Sequence, residues 1–378
     1  MSIPRPVDPA APAPAPPRPV GAPIQPSTSA SKPSTLGRGR LHGRTVLALA
    51  CGLIVTVMVP TAVGAYWTKV LTLCVIYAVA AAGAQVLYGR LGFVSLNQVA
   101  LVGVGGWTFL RAGHAITLPH PLLLVLAGLV TMVVGVLIGL TSLRLSGLAL
   151  ALVTLMAAGA FEIVFTAVGF PDGGSGALGK ATGGQLSAAL PRPGWLDSDA
   201  TLFVYTTAVA AMCFTLLWWL VRGRAGRAWM AIGQSVPGAL ATGVDVTRYR
   251  LVALASTSFV SGVAGGLLAT GDGRLDPVSF PAQQSIVLFA VVLIGGAYSL
   301  LGAAIAGLFY AGLPAVLDQF GVQGNLILVV FGAGLVHSLI TSPQGIAGQL
   351  HHAAESRRAR RRTGGSTGPA LTEGSSSA

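Results

Sequence analysis

Long apolar runs separated by short polar stretches dominate the chain between residues 45 and 342. A helix needs about 20 apolar residues to cross about 30 Å of hydrocarbon, and most of the runs approach that length. They predict an all-α, polytopic transmembrane helical bundle of about ten spans: 45–65, 68–88, 91–111, 121–142, 147–169, 201–221, 251–270, 285–299, 301–317 and 325–342. Very short turns follow the first and eighth of these runs, so the pattern leaves eight, nine or ten spans open.

Composition excludes an ordinary soluble enzyme. Hydrophobic residues make up 53% of the 378 positions and charged residues 9%, whereas about a quarter of a soluble domain is charged. The mean hydropathy is +0.74. The three cysteines, Cys51, Cys74 and Cys213, all fall inside apolar runs. They are therefore interpreted as small buried hydrophobes, with no disulfide framework or metal cluster implied.

The two ends of the chain have a different composition. Eleven of the 23 prolines lie between Pro4 and Pro33, so residues 1–44 are predicted to form a disordered, Pro-rich cytoplasmic tail. No signal peptide is expected, because the first apolar run is long enough to span a membrane. Residues 45–350 form the predicted transmembrane domain. Residues 351–378 are a basic, disordered tail that is either simply solvated or in contact with anionic lipid.

The placement of Lys and Arg predicts the orientation. With the N-terminus inside and ten spans, fifteen basic residues outside the distal N-tail fall on the cytoplasmic side and five on the other side. The five external ones are Lys69, Arg111, Lys180, Arg192 and Arg274. Because cytoplasmic loops carry the excess of Lys and Arg, both termini are expected in the cytoplasm of a bacterial cell, with the chain in its inner (plasma) membrane.

Two long loops result from this threading. Phe170–Ala200 is external and rich in Gly and Pro, and 222–250 is cytoplasmic and the most basic internal segment. The stretch Gly174–Ala181 resembles a phosphate-binding loop, but Ala181 stands where that loop needs Ser or Thr. No other enzyme signature appears, so the chain is expected to be neither an ATPase nor another enzyme and to bind no cofactor or metal.

The cytoplasmic loop 222–250 predicts a short helix, a turn at Gly243 and a second basic stretch that enters the next span. The small residues Gly238, Ala239 and Ala241 would leave a surface that the groove of another protein can contact closely. The alternative is an ordinary basic connection. The length of the loop weighs against this alternative, because long structured loops are often functional.

At this loop the sequence resembles the coupling loop of ABC-importer permeases of the branched-chain amino acid (LivM/LivH) family. The positions that carry the match are Gly226-Arg227-Ala228, Ala231-Ile232, Ala239, Gly243-Val244, Val246 and Tyr249. The resemblance implies that an ATPase contacts the loop at Arg227, Ala231, Ala239, Gly243 and Arg248. Val236 stands where the family has an acid, and Gly238 replaces one of its two alanines.

Four further segments match family motifs in order along roughly 85–350. They are Gly92–Trp107, Gly147–Leu155, Val291–Gly307 and Ser342–Gly348. In the first of them, Asn97 stands where glycine is usual.

The resemblance implies a permease half that performs no chemistry itself and moves its substrate by alternating access. Its partners would be a second permease, two cytoplasmic ATPase subunits that bind the ATP, an extracytoplasmic binding protein and the lipid bilayer, but no nucleic acid. Branched-chain amino acids or related small polar solutes are the expected substrates, and their identity stays open. The alternative is a secondary transporter driven by an ion gradient, for which Glu162 is the one candidate intramembrane acid.

Five polar residues in apolar surroundings are candidates for the translocation pathway: Ser95, Asn97, Gln98, Thr154 and Glu162. Polar groups in hydrocarbon are costly unless they face protein or water. For the first three residues, one hypothesis is a broken helix end that lines the path, and the other is hydrogen bonding between helices. Glu162 is either a polar wall or ion-paired residue of the pathway, or an acid at the membrane interface.

Overall fold

A computed structural model of the chain describes residues 60, 63–142, 145, 147–181, 188–321, 326, 329 and 331–334. The predicted spans 45–65 and 325–342 lie largely outside these residues. Both tails, Cys51, Arg144 and the closing motif at 342–348 lie outside them altogether. The described part of the chain consists of helices and connecting segments, without a strand, so the predicted all-α class is confirmed there.

Eleven α-helices form this part of the chain. In order they are α1 (Ala65–Leu91), α2 (Gln98–Ala115), α3 (His120–Ser142), α4 (Gly147–Val168), α5 (Asp199–Arg222), α6 (Arg224–Gln234), α7 (Val236–Ala241), α8 (Val246–Asp272), α9 (Ala282–Gly295), α10 (Leu300–Gly307) and α11 (Leu313–Gln319). A π-helical stretch, Leu308–Gly312, joins α10 to α11. Short 3₁₀ turns, Gly194–Leu196 and Pro277–Ser279, precede α5 and α9.

The predicted count of about ten spans is not confirmed. Seven described helical stretches are long and apolar enough to cross a membrane, namely Ala65–Leu91, His120–Thr141, Gly147–Val168, Asp199–Arg222, Val246–Asp272, Pro277–Gly295 and Leu300–Gln319. The predicted span 91–111 is wrong in its bounds, because residues 92–97 are not helical and α2 extends to Ala115. Arg111 and His114 in the last turns of α2 also make it less apolar than its neighbours.

The helices α1 and α8 form the centre of the bundle, and small residues allow close packing around them. A Cβ atom on Gly265 of α8 would lie 1.9 Å from the carbonyl oxygen of Val102 in α2. One on Gly105 of α2 would lie 2.3 Å from the carbonyl oxygen of Gly262 in α8. The two backbones therefore touch, a contact that glycine alone permits and that is typical of membrane helix pairs. Cys74 and Cys213 are buried, as the sequence predicts.

Side-chain contacts define two ends of the bundle. At the 222–250 end, the Trp229 indole N–H donates to the carbonyl oxygen of Tyr249 at 2.8 Å. At the opposite 170–200 end, Lys69 and Arg192 both pair with Asp199, at 3.7 and 3.1 Å. Arg111 donates to the carbonyl of Ala177 at the same end. Basic residues that the sequence assigns to one side of the membrane thus share one end of the fold.

Candidate functional site

The helix break between α1 and α2 is the first candidate site. Gly92 ends α1 in the left-handed conformation, with φ +67°. Its N–H donates to the carbonyl of Tyr88 at 2.9 Å, and the N–H of Phe93 donates to Leu87 at 3.1 Å. This pair of hydrogen bonds to the last turn is a Schellman-type helix ending. The chain then has no regular secondary structure through residues 93–97 before α2 begins at Gln98.

Polar side chains of the break are buried and bonded to other helices. Ser95 Oγ donates to Asn97 Oδ1 at 2.7 Å, within the break itself. The Leu96 N–H donates to Thr154 Oγ1 of α4 at 3.0 Å. Ser261 Oγ of α8 donates to Gln98 Oε1 at 2.6 Å. Four of the five pathway candidates therefore come together, and the Leu96 N–H of the irregular backbone is satisfied by a side chain of another helix, as a membrane interior requires.

Both hypotheses for this polar cluster describe part of its geometry. The helix is broken, and its polar groups also form hydrogen bonds between helices. The cavity that these residues line measures about 10 Å³, far below the 300 Å³ or more of a typical ligand pocket. A substrate does not fit there in this conformation, so a role in the pathway stays a prediction.

Glu162 lies apart from this cluster and has a structural partner. Its Oε2 accepts a hydrogen bond from the Ala282 N–H at 2.7 Å. Ala282 is the first residue of α9, whose unpaired N–H groups and dipole favour a carboxylate. Among the ion pairs of the described residues, none involves Glu162. The half-buried side chain also lines a shallow, open groove on the surface of α4, formed by residues of that helix alone, among them Met156, Gly159 and Ile163.

The loop 222–250 is a folded unit made of α6 and α7. Trp229 is fully buried and Ile232 nearly so, and both pack into the hydrophobic core. Their spacing of three residues places them on one face of α6. Ser235 Oγ then accepts from the Gly238 N–H at 3.2 Å and caps α7. The predicted short helix is present, and the predicted turn occurs at Gly243, with φ +78°.

The predicted docking residues of this loop divide between its two faces. Arg227, Gly243 and Arg248 are exposed, and Arg248 pairs with Asp245 at 3.1 Å. Ala231 is half-buried against the core, and Ala239 is only 2% exposed. The side chain of Ala239 is therefore buried inside the loop, whereas Gly238 and Ala241 of the same predicted surface are exposed, and an ATPase contact at this surface stays a prediction. A residue that sequence reasoning missed, Leu240, projects instead and is 59% exposed.

The break and the loop are neighbours at the same end of the bundle. The Arg250 guanidinium lies 5.4 Å from the centre of the Phe93 ring, within the range of a cation–π contact. A Cβ atom on Gly233 of α6 would lie 2.4 Å from the carbonyl oxygen of Arg90, in the last turn of α1. Movement of the loop would therefore act on both α1 and the break.

Comparison with known proteins identifies the class to which this bundle belongs. A family model described as "Branched-chain amino acid transport system / permease component" matches residues 66–339. The match covers α1 to α11, including the break, the α4 groove and the loop. The chain belongs to this family of transport permeases, and it is a multi-pass membrane protein.

Individual relatives point the same way. The chain is 29% identical over 331 residues to the high-affinity branched-chain amino acid transport system permease protein LivM of Salmonella typhimurium, covering 81% of this chain and 76% of the relative. The LivM protein of Escherichia coli K12 matches with the same identity and coverage. The autoinducer 2 import system permease protein LsrD of Escherichia coli K12 is 35% identical over 131 residues, 33% of this chain and 40% of the relative. No solved structure matches.

Proposed function

We propose that the chain is one permease subunit of an ATP-driven importer for branched-chain amino acids or related small polar solutes. ATPase subunits bind to the loop 222–250 and hydrolyse ATP, while this chain alternates between inward- and outward-facing states. In this arrangement the 222–250 end and both termini are cytoplasmic. The excess of basic residues at that end supports the orientation.

The folded loop is the observation that carries this proposal. Its inner face is anchored by the buried Trp229, while Leu240 and Arg227 remain exposed on its outer face. An exposed leucine beside small residues suits an apolar groove on a partner, and an exposed arginine on the same loop suits an acidic rim. Since α8 continues directly from the loop, a force applied to α7 is transmitted to the centre of the bundle.

The groove on α4 is the proposed translocation surface, shared with the second permease subunit. Its face is apolar at Met156 and Ile163 but contains the carboxylate of Glu162. A charged group that faced lipid at the centre of a span would cost about 2.5–3.5 kcal/mol, so a protein- or water-facing position is favoured within the membrane. Apolar walls with a carboxylate also match a substrate that has an aliphatic side chain and an ammonium group.

At the other end, residues 170–200 are proposed to receive the extracytoplasmic binding protein. In its described part, Arg111 donates to the carbonyls of Gly176 and Ala177. Lys69 and Lys180 remain substantially exposed at this end. Exposed cations there would steer an acidic partner.

Co-purification with the neighbouring gene products tests the ATPase contact. Leu240→Glu places a charge on the exposed tip of α7, and we expect the ATPase to be lost while the chain still inserts and folds. Leu178→Glu is the matched control, because it introduces the same charge at an exposed leucine of the opposite end. Retention of the ATPase by the Leu240 variant, or equal loss in both variants, would contradict the proposed docking surface.

Uptake into proteoliposomes separates this proposal from gradient-driven transport. The assembled complex should import when ATP is present and no ion gradient exists. Import should stop when the ATPase subunits are inactivated. Import that persists with inactive ATPase and collapses with an ionophore would establish the secondary-transporter alternative instead.

A further inference from the structure

A small polar cavity lies beside the helix break, where five helices meet. Its polar lining comes from Ser95 and Asn97 of the break, Gln98 of α2, Thr154 of α4 and Ser258 of α8. Phe93 of the break and apolar residues of α1, α2, α3 and α8 close it, among them Leu101 and Leu254. The volume is about 10 Å³, which is close to the least that a single water molecule requires.

The amide of Gln98 is the group that this cavity leaves unsatisfied. The side chain is 2% exposed. Its Oε1 accepts from Ser261, but its Nε2 has no hydrogen-bond partner among the described residues. A buried amide donor without a partner costs about 1–3 kcal/mol. Exchanging the two amide atoms would leave an unpaired acceptor in place of the donor, so the deficit belongs to the site and not to one amide orientation.

We propose that this cavity binds one water molecule, which accepts from Gln98 and links the helix break to α8. The ligand must fit about 10 Å³, accept from an amide and donate to neighbouring oxygens, and water meets all three conditions. A cation cannot accept from Gln98. An anion would be buried without a positive partner, because none of the lining residues is basic.

The position of the site gives this water a mechanical consequence. Ser258, which lines the cavity, lies on the helix that continues from the loop 222–250, roughly three turns from its start. Ser95 and Asn97 lie on the break, whose backbone is tied to Thr154 of α4. The water therefore connects α8, which continues from the loop 222–250, with the break, whose backbone is bonded to α4. This inference concerns the resting fold and does not depend on the substrate or on the energy source.

Hydroxyl-radical footprinting with X-ray radiolysis, applied to the full chain in lipid nanodiscs, tests the site directly. Radicals form from bound water and oxidise adjacent side chains even when these are buried. We expect oxidation at Phe93 and Leu101, which line the cavity. No oxidation is expected at Phe109 and Leu267, which are fully buried and do not line it. Protection of Phe93 and Leu101 to the same degree as these controls would overturn the proposal.

A variant then tests whether Gln98 holds the water. Gln98→Leu removes both amide atoms at similar volume, and we expect loss of the oxidation at Phe93 and Leu101. Thr131→Val is the control, because this buried threonine donates to Ala127 within its own helix and does not line the cavity. Oxidation that persists in the Gln98 variant would overturn the assignment. If that variant does not fold, the wild-type comparison of the four side chains decides alone.

Discussion

The inner and outer helices of the bundle differ in burial in a way that their hydropathy does not explain. In α1 and α8, 78% and 72% of the most apolar stretch is buried, compared with 39% in α3 and 28% in α4. Yet α3 has the highest mean hydropathy of the seven candidate spans. The inner helices instead carry small and hydroxyl residues such as Gly262, Gly265, Ser258 and Ser261. Lipid tails are as apolar as leucine, so close packing and hydrogen bonds, rather than hydrophobicity, select which helices lie inside.

The largest effect should come from adding one methyl group to the inner crossing. Gly265→Ala would place a Cβ 1.9 Å from the backbone oxygen of Val102, and backbone cannot move aside as a side chain does. We expect a loss of about 3 kcal/mol or more in the free energy of unfolding, seen as loss of the monodisperse peak in fluorescence-detected size exclusion. Gly159→Ala on α4 is the control, because its Cβ would meet no atom within 4 Å. Equal behaviour of the two variants would contradict the contrast between inner and outer helices.

A charge on the outer face should have a comparable effect on insertion. Val133 lies near the middle of α3 and is 55% exposed. If it faces lipid, Val133→Arg should cost about 2.5–3.5 kcal/mol in a translocon insertion assay. Met156→Arg, similarly central on α4, should cost less because Met156 borders the groove that contains Glu162. The reverse order would place lipid at the α4 groove and argue against a translocation surface there.

A smaller loss is expected from the polar contact that ties the break to α4. Thr154→Val keeps the shape of the side chain but removes the acceptor of the Leu96 N–H. We expect a loss of about 1–3 kcal/mol, because a buried donor is left unpaired. Thermal unfolding in detergent measures it. Thr166→Val, an exposed position on the same helix, serves as the control and should change stability by less than about 0.5 kcal/mol. A neutral Thr154 variant would show that the break is held by other contacts.

The smallest effect on stability should come from neutralising Glu162 on α4. Glu162→Gln retains an oxygen for the Ala282 N–H but loses the interaction between the carboxylate and the helix dipole. We expect a loss of about 0.3–1 kcal/mol in stability, together with a larger fall in uptake if the charge also serves the pathway. A fall in uptake no larger than the change in the amount of folded protein would leave Glu162 with a capping role alone.

Sequence reasoning located the break and the loop better than it located their internal geometry. Ser95, Asn97 and Gln98 stand out because polar residues interrupt an apolar run, a signal that needs no tertiary information. The role of Trp229 as the anchor of the loop was missed, although its spacing from Ile232 could have indicated a buried face. The motif at Ala239 indicates that a small residue is required there, but not which side of α7 it occupies.

The amino-acid sequence by itself determined the membrane class, the grouping of basic residues at two ends and the family. Apolar length, charge placement and local motifs are properties of short segments and survive without a folded partner. Only the tertiary structure decided which helices are central and what the polar residues contact. Gln98 meets Ser261 across 163 positions and Glu162 meets Ala282 across 120. Such pairs arise from packing between helices, and no local pattern of either partner contains them.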